Sequence, residues 1–239
     1  MSDQSTNHWV IPDIHGHAKT LAALLEQISP SKEDLITFLG DYIDRGPNTK
    51  GVLDLLLKLE DEGFNVRFLR GNHEDYMLRS LDNKPIRKKL FQRKDTYVQV
   101  WHNTYWKSML ESFGISSIYD LPIKYIRFLN NTQYYFQDKN YVYVHAGLNF
   151  QKDNPFEDKK FMLWTKEYII LPEKIQNRKI IHGHVPVSID LIEMSLKSSS
   201  FNFIDLDNGV YINNESGFGK LISLNIKNMD LKVQDNIDL

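Results

Sequence analysis

Five short clusters of this chain carry side chains suited to binding a divalent cation. They are Asp13-Ile14-His15-Gly16, Gly40-Asp41-Tyr42-Ile43-Asp44-Arg45-Gly46, Arg70-Gly71-Asn72-His73-Glu74, His145-Ala146-Gly147 and His182-Gly183-His184. Six of the eight histidines, His15, His17, His73, His145, His182 and His184, fall in or beside them. One Asp-x-His or His-x-His alone reads as ordinary surface or core polarity. Five clusters, each after a predicted strand, read as one site, because ligands of an open α/β sheet bind outside the carboxyl ends of its strands. Carboxylate, imidazole and amide donors without thiolate favour manganese, iron or zinc over calcium.

The elements that must position these clusters are legible from periodicity. His8 to Ile11, Leu35 to Leu39 and Phe64 to Leu69 are short apolar runs that predict strands. Between them Leu21, Leu24, Leu25 and Ile28, then Val52, Leu55, Leu56 and Leu59, recur at helical spacing and predict two helices with one buried face each. The order is that of a βαβαβ unit with a largely parallel sheet. Residues 76–130 differ, being rich in aromatic residues and holding the basic run Arg87, Lys88, Lys89, Arg93 and Lys94. They predict a helical cap in which Tyr97, Trp101, Tyr105 and Trp106 line either a cleft or the core. From Tyr141 the pattern returns to strands at Tyr141 to Val144, Lys179 to Ile181, Phe201 to Leu206, Val210 to Asn213 and Leu221 to Ile226. Asn208-Gly209 signals a hairpin turn between two of them. This half predicts a second, more antiparallel sheet packed on the first, and no linker divides the chain, so residues 1–239 are expected to form a single domain.

Composition sets the limits. With 41% hydrophobic and 25% charged residues the chain is ordinary globular protein. Lys plus Arg number 29 against 31 Asp plus Glu. That balance predicts no nucleic-acid or membrane partner, and an anionic ligand must be held by local charge. There is no cysteine, hence no disulfide and no thiolate ligand. No run approaches the roughly 20 apolar residues of a membrane span. The polar opening lacks the order of a secretion signal, so a cytoplasmic location is expected.

The clusters resemble the signature segments of metallophosphoesterases, and GDYIDRG and RGNHE are similar to the bacterial and phage-like serine/threonine protein phosphatases. The resemblance runs from Asp13 to about residue 226. It implies a four-layer α-β-β-α sandwich of two mixed sheets with a helical cap segment. It also implies two divalent ions, one on Asp13, His15 and Asp41 and one on Asp41, Asn72, His145 and His184, with Asp41 bridging. By the same resemblance His73 is the general acid, Asp44 holds its imidazole, and a hydroxide shared by the metals attacks the phosphorus. Paired ions suit that task, since they acidify a shared water and stabilise an in-line displacement. Arg45 and Arg70 would offer planar forks to the phosphate oxygens. Lys166 stands two residues after Trp164, where the family usually has an arginine.

The chain departs from the family at Trp101-His102-Asn103-Thr104-Tyr105, which lacks a glycine pair and brings a bulky ring to the expected substrate side. The activity implied is hydrolysis of phosphoserine or phosphothreonine on a phosphoprotein or phosphopeptide, with phosphotyrosine admissible. A dinucleoside polyphosphate hydrolase is the alternative; Asp44 and Glu74 argue against it, because that relative lacks the first and has Asp in place of the second. A catalytically silent binding protein is a third reading, disfavoured because every expected ligand type is present. Oligomeric state is not legible.

Overall fold

The computed structural model describes residues 6–82, 103–198 and 200–238. The first predicted unit forms as β1 (His8–Ile11), α1 (Ala18–Ile28), β2 (Leu35–Phe38), α2 (Thr49–Asp61) and β3 (Asn65–Phe68). The three strands pair in parallel, His8 beside Leu35 and Leu35 beside Asn65. Leu21, Leu24 and Ile28 of α1 are buried, as are Val52, Leu53 and Leu56 of α2. These are the faces that periodicity selects. The Asn48 side chain accepts from the Gly51 amide to start α2, and the chain leaves that helix through Glu62 into Gly63 at φ 79°.

Downstream, α3 (Asn72–Asp82), α4 (Trp106–Phe113) and α5 (Ile123–Asn131) carry the chain to β4 (Tyr135–Gln137). Met77, Met109, Tyr125, Phe128 and Leu129 from these helices share one buried cluster with Phe38, Leu53 and Leu56. The described part of the aromatic segment is therefore core as well as cover. Tyr97, Trp101 and the basic run from Arg87 to Lys94 lie outside the described residues.

The remaining elements are β5 (Tyr141–Val144), α6 (Lys159–Trp164), β6 (Lys179–His182), α7 (Ile189–Lys197), β7 (Phe203–Asp205), β8 (Lys220–Asn225) and β9 (Asp230–Asp235). They make two mixed sheets, ordered β3-β2-β1-β8-β9 and β4-β5-β6-β7. The second sheet differs from the antiparallel expectation. Its β5, β6 and β7 run parallel, and only β4 is antiparallel. Helices α6 and α7 lie between the parallel strands, and a parallel pair needs such a crossover. By contrast β8 and β9 form a hairpin and pair with β1 of the first sheet.

Val210 to Asn213 is not a strand, and Asn208-Gly209 is not a hairpin turn. The Asn208 side chain donates to the carbonyls of Val187 and Gly217 and accepts from the Lys220 amide, while the Asp207 carboxylate accepts from the Gly209 amide. Those side-chain bonds hold the segment as a loop between the sheets, in competition with strand pairing.

Val10, Leu39, Leu69, Ile222 and Leu224 of the first sheet side meet Tyr143, Ile181, Ile204 and Leu206 of the second in one buried layer. With α1 and α2 on one outer face and α6 on the other, the layers are helix, sheet, sheet, helix. Among the described residues no helix is long and apolar enough to cross a membrane.

Candidate active site

All five clusters sit at the carboxyl ends of strands, after β1, β2, β3, β5 and β6, and their side chains meet where the two sheets abut. The loops are tightly constrained. His15, Asp41, Asp44, Arg45 and His184 all have φ between 47° and 79°, half of the ten non-glycine residues with positive φ among those described. Left-handed backbone costs about 1–3 kcal/mol at such positions and persists only where the surroundings over-determine it.

Glu74 supplies much of that determination. It is fully buried, and its carboxylate accepts from the amides of Asp41 and Gly71 at 2.9 Å each, Tyr42 at 2.8 Å and Ile43 at 3.3 Å. One side chain at the start of α3 thus fastens the β2 loop to the β3 loop. Burial and the Asp41 charge push its pKa up to about 7, against the pull of these amides. The two loops also cross closely, since a Cβ on Gly40 would lie 2.5 Å from the Gly71 nitrogen.

Asp41 is the hub. Its Oδ2 lies 3.6 Å from His15 Nε2, 3.6 Å from His145 Nε2 and 3.9 Å from His73 Nε2, while Oδ1 accepts from the His73 amide at 3.1 Å. Burial acts to raise its pKa, but the surrounding imidazoles outweigh that and hold it below the usual carboxylate range. Asn72 Oδ1 lies 2.9 Å from His145 Nε2 and 3.1 Å from His184 Nδ1. His15 Nδ1 donates to the Ile43 carbonyl at 3.0 Å, and His145 Nδ1 to the Leu39 carbonyl at 3.1 Å. Each backbone bond fixes the tautomer and leaves the Nε2 lone pair facing inward, the arrangement that metal-ligating histidines show. Burial lowers the pKa of His15, His145 and His184, the last to about 3, so these rings are neutral donors.

The donor set fits divalent ions. Lone pairs of Asp41, His145 Nε2, His184 Nδ1 and Asn72 Oδ1 point at one another, a grouping that a cation stabilises. Distance alone gives two clusters that share Asp41, one with His15 and His73 and one with His145 and His184. Asp13, expected beside His15, belongs to neither. Its carboxylate accepts from the His184 amide at 3.1 and 3.2 Å. Burial and the charges of Asp207 and Asp41 raise its pKa well above the usual range.

Beside the hub His73 Nδ1 donates to Asp44 Oδ2 at 2.7 Å, and both residues are buried. Burial pulls the imidazole down, but the carboxylates of Asp41 and Asp44 outweigh it and its pKa is raised. It is the one ring of the cluster whose charged form the site favours.

Two of the expected phosphate ligands are elsewhere. Arg70 Nη2 donates to the carbonyls of Leu129 and Asn130 at 3.1 and 2.8 Å, Nε to Thr132 Oγ1 and Nη1 to the Tyr134 hydroxyl. The guanidinium therefore caps the end of α5, where free carbonyls and the helix dipole attract a cation. Lys166 is exposed and lines a separate cavity with Tyr168 and Phe203. Arg45 stays at the site, exposed, with its guanidinium 4.0 Å over the Tyr211 ring.

Three further residues matter here: Tyr105, which the sequence offered for a cleft or the core, and Tyr211 and Asp207, which it did not pick out. The Tyr211 ring lies 5.2 Å from His15 and the Tyr105 ring 5.0 Å from His73, so the two histidines are each flanked by a tyrosine. The Asp207 carboxylate, 1% exposed, is the strongest charge acting on Asp13. The aromatic richness around Tyr105 was a signal; Tyr211 and Asp207 offered none, since they stood in the segment read as a hairpin.

A family model described as calcineurin-like phosphoesterase matches residues 7–215. The symmetrical bis(5'-nucleosyl)-tetraphosphatase of Wigglesworthia glossinidia brevipalpis is 38% identical over 73 residues, 30% of this chain. Serine/threonine-protein phosphatase 2 of Escherichia coli is 40% identical over 75 residues, 31% of this chain. The chain covers 26% and 32% of those two proteins' lengths. A solved protein serine/threonine phosphatase of Saccharomyces cerevisiae superposes with a TM-score of 0.62 at 13% identity, covering 98% of this chain and 82% of its own, a likeness of fold.

Two measurements test this geometry. Glu74→Gln keeps one carbonyl oxygen but turns an amino group toward buried amides, and should lower the unfolding free energy by about 2–4 kcal/mol in urea titrations. An unchanged midpoint would show that other contacts hold the loops. Arg70→Ala should lose on the order of 1–2 kcal/mol of stability and leave the KM for p-nitrophenyl phosphate unaltered. A raised KM at parental stability would return Arg70 to the phosphate.

Proposed function

We propose that this chain, which belongs to the calcineurin-like phosphoesterase family, is a metal-dependent phosphatase that hydrolyses phosphoserine and phosphothreonine, with phosphotyrosine admitted, on protein or peptide substrates. The observation that carries the reading is the 2.7 Å contact of His73 with the buried Asp44, set beside converging metal donors. A phosphoserine leaves as a poor alkoxide and needs a proton, and a dinucleoside polyphosphate does not.

Two divalent ions, manganese first with iron or zinc as alternatives, would be held by Asp13, His15 and Asp41 and by Asp41, Asn72, His145 and His184. When bound they supply positive charge for the phosphate and acidity for an attacking water. The chain's own residues do the rest. Asp44 accepts from His73 Nδ1, which fixes the tautomer and turns Nε2 toward the leaving oxygen. The raised pKa keeps a proton on the ring for transfer to that oxygen. Arg45, steadied by the Tyr211 face, offers its donors to a phosphate oxygen that does not react. Tyr105 beside His73 lies where the leaving group would depart.

The second reading, hydrolysis of dinucleoside polyphosphates, draws on the tetraphosphatase among the relatives. Comparing kcat/KM for a phosphoserine peptide, a phosphotyrosine peptide and diadenosine tetraphosphate on one metal-loaded preparation decides between them. The peptides should lead, and after chelation manganese should restore activity more fully than magnesium. Preference for the dinucleotide would overturn the protein phosphatase reading, and full activity without metal would overturn both.

His73→Asn should cut kcat on an alkyl phosphate by about a hundredfold to ten-thousandfold. The loss should be smaller on p-nitrophenyl phosphate, whose phenolate leaves without a proton. Equal losses on both esters would remove His73 from the role of acid.

A further inference from the structure

The segment 236–238, which follows β9, carries an asparagine and an aspartate on either side of Ile237. Alternate side chains of an extended chain point to opposite sides. Here Ile237 is exposed, while Asn236 and Asp238 turn inward onto α1 and the loop that carries Tyr211. No step proposed above uses either polar residue.

Asp238 anchors the segment. His17, at the N-cap of α1, makes no side-chain bond to the first amides of that helix. The Asp238 carboxylate takes its place, accepting from the Lys19 amide at 3.0 Å, the Thr20 amide at 2.8 Å and the Thr20 hydroxyl at 2.7 Å. Amides in a first helical turn lack intrahelical partners and favour a negative charge. The Ile237 amide also donates to Thr20 Oγ1, at 3.0 Å. The segment is thereby fixed to the helix that begins directly after the His15-Gly16-His17 loop.

From that anchorage Asn236 reaches the other way. Its Oδ1 accepts from the Asp238 amide at 2.9 Å and from the Thr20 hydroxyl at 3.4 Å, and its Nδ2 donates to the Val210 carbonyl at 2.8 Å. That carbonyl belongs to the planar peptide joining Val210 to Tyr211, so its direction sets how Tyr211 leaves the backbone. Residues 210–213 form no strand, and no sheet ladder orients this peptide. Beyond it the Tyr211 ring stands edge-on to His15 and lies 4.0 Å beneath the Arg45 guanidinium. We propose that Asn236 is a positioning residue for Arg45: held on α1, it orients the Val210–Tyr211 peptide and so keeps in place the tyrosine face on which the guanidinium rests. The proposal rests on the reading of Arg45 as a donor to the phosphate.

The test compares Asn236→Ala, Asn236→Asp, Arg45→Ala and the pair Asn236→Ala with Arg45→Ala, each as the full, metal-loaded chain. It reads kcat and KM for p-nitrophenyl phosphate, the Kd of inorganic phosphate by calorimetry, and metal content. Aspartate keeps the shape and the acceptor of Asn236 but has no Nδ2 donor. Both Asn236 variants should raise KM and Kd about threefold to tenfold, the reach of one hydrogen bond, with kcat within about twofold of the parent. Metal content should stay parental, because His15 keeps its own bond to the Ile43 carbonyl. Arg45→Ala should raise KM about tenfold or more, and adding Asn236→Ala to it should change nothing further, since residues that act through one another are not additive. Parental KM and Kd in both Asn236 variants would overturn the proposal. So would an equal loss with and without Arg45, the mark of a general loosening, or a loss of bound metal, which would put the effect at His15. A parental KM in Arg45→Ala would instead remove Arg45 from the phosphate, and this proposal with it.

Discussion

Four backbone amides converge on the Glu74 carboxylate, and the placement of nearly every candidate ligand follows from that. The amides belong to Gly71, Asp41, Tyr42 and Ile43, so a residue on α3 dictates the course of the loop that follows β2. Asp41 is thereby held at φ 51°, a conformation that an aspartate tolerates but does not seek. The same loop then presents the Ile43 carbonyl to His15 and places Asp44 against His73. A buried carboxylate beside Asp41 is costly, and burial and that neighbouring charge raise the Glu74 pKa accordingly. A divalent ion on Asp41 would relieve the repulsion, so metal binding and ionisation of Glu74 should favour one another.

Strain and satisfaction balance locally. Five site residues have left-handed backbone, yet the amides and carbonyls around them are paired: the His15 amide with the Asp41 carbonyl at 2.9 Å, the Gly16 amide with the Tyr42 carbonyl at 2.9 Å and the Asp44 amide with Thr49 Oγ1 at 3.2 Å. The first two of these bonds run between loops, and the third ties the β2 loop to the start of α2. A loop that borrowed its hydrogen bonds from itself would be free to move as a unit, whereas one that borrows from its neighbours is fixed by the strands behind them. That is how short strands of four residues can aim side chains with the precision a catalytic constellation needs.

How far the sequence was legible depended on whether the deciding contact was local. The β1-α1-β2-α2-β3 unit was legible because burial follows periodicity there, as Leu21, Leu24 and Val52 show. The parallel sense of β5, β6 and β7 was not, because a four-residue apolar run reads the same in either direction. Only α6 and α7 between the strands decide it. The Asn208-Gly209 pair misled for a physical reason. The residues that favour a hairpin do so through side-chain bonds to nearby backbone, and Asn208 uses the same capacity to tie Val187, Gly217 and Lys220 into a loop. Arg70 was drawn to the end of α5 by carbonyls some sixty residues away in sequence, a contact no spacing foretells. Glu74, read from sequence only as a mark of one branch of the family, is the fastening that the structure puts at the centre.

The division of the candidate ligands between the sheets has a consequence for stability. Asp13, His15, Asp41 and Asn72 come from the first sheet, and His145 and His184 from the second. The apolar layer of Val10, Leu39, Tyr143 and Ile181 brings the sheets together, but it is non-directional and would accept small shifts of one sheet on the other. The polar contacts are directional: His145 Nδ1 reaches the Leu39 carbonyl, and the His184 amide reaches Asp13. They set the register that packing leaves loose. An ion held by residues of both sheets would act in the same sense, binding only when that register is correct and so adding its binding free energy to the folded state. Metal content and sheet association are then two views of one equilibrium. Asp13, Asp41 and Asp207 are buried close together at that seam, and their mutual repulsion, which adds to burial in raising the Asp13 pKa, is what a cation held there would relieve.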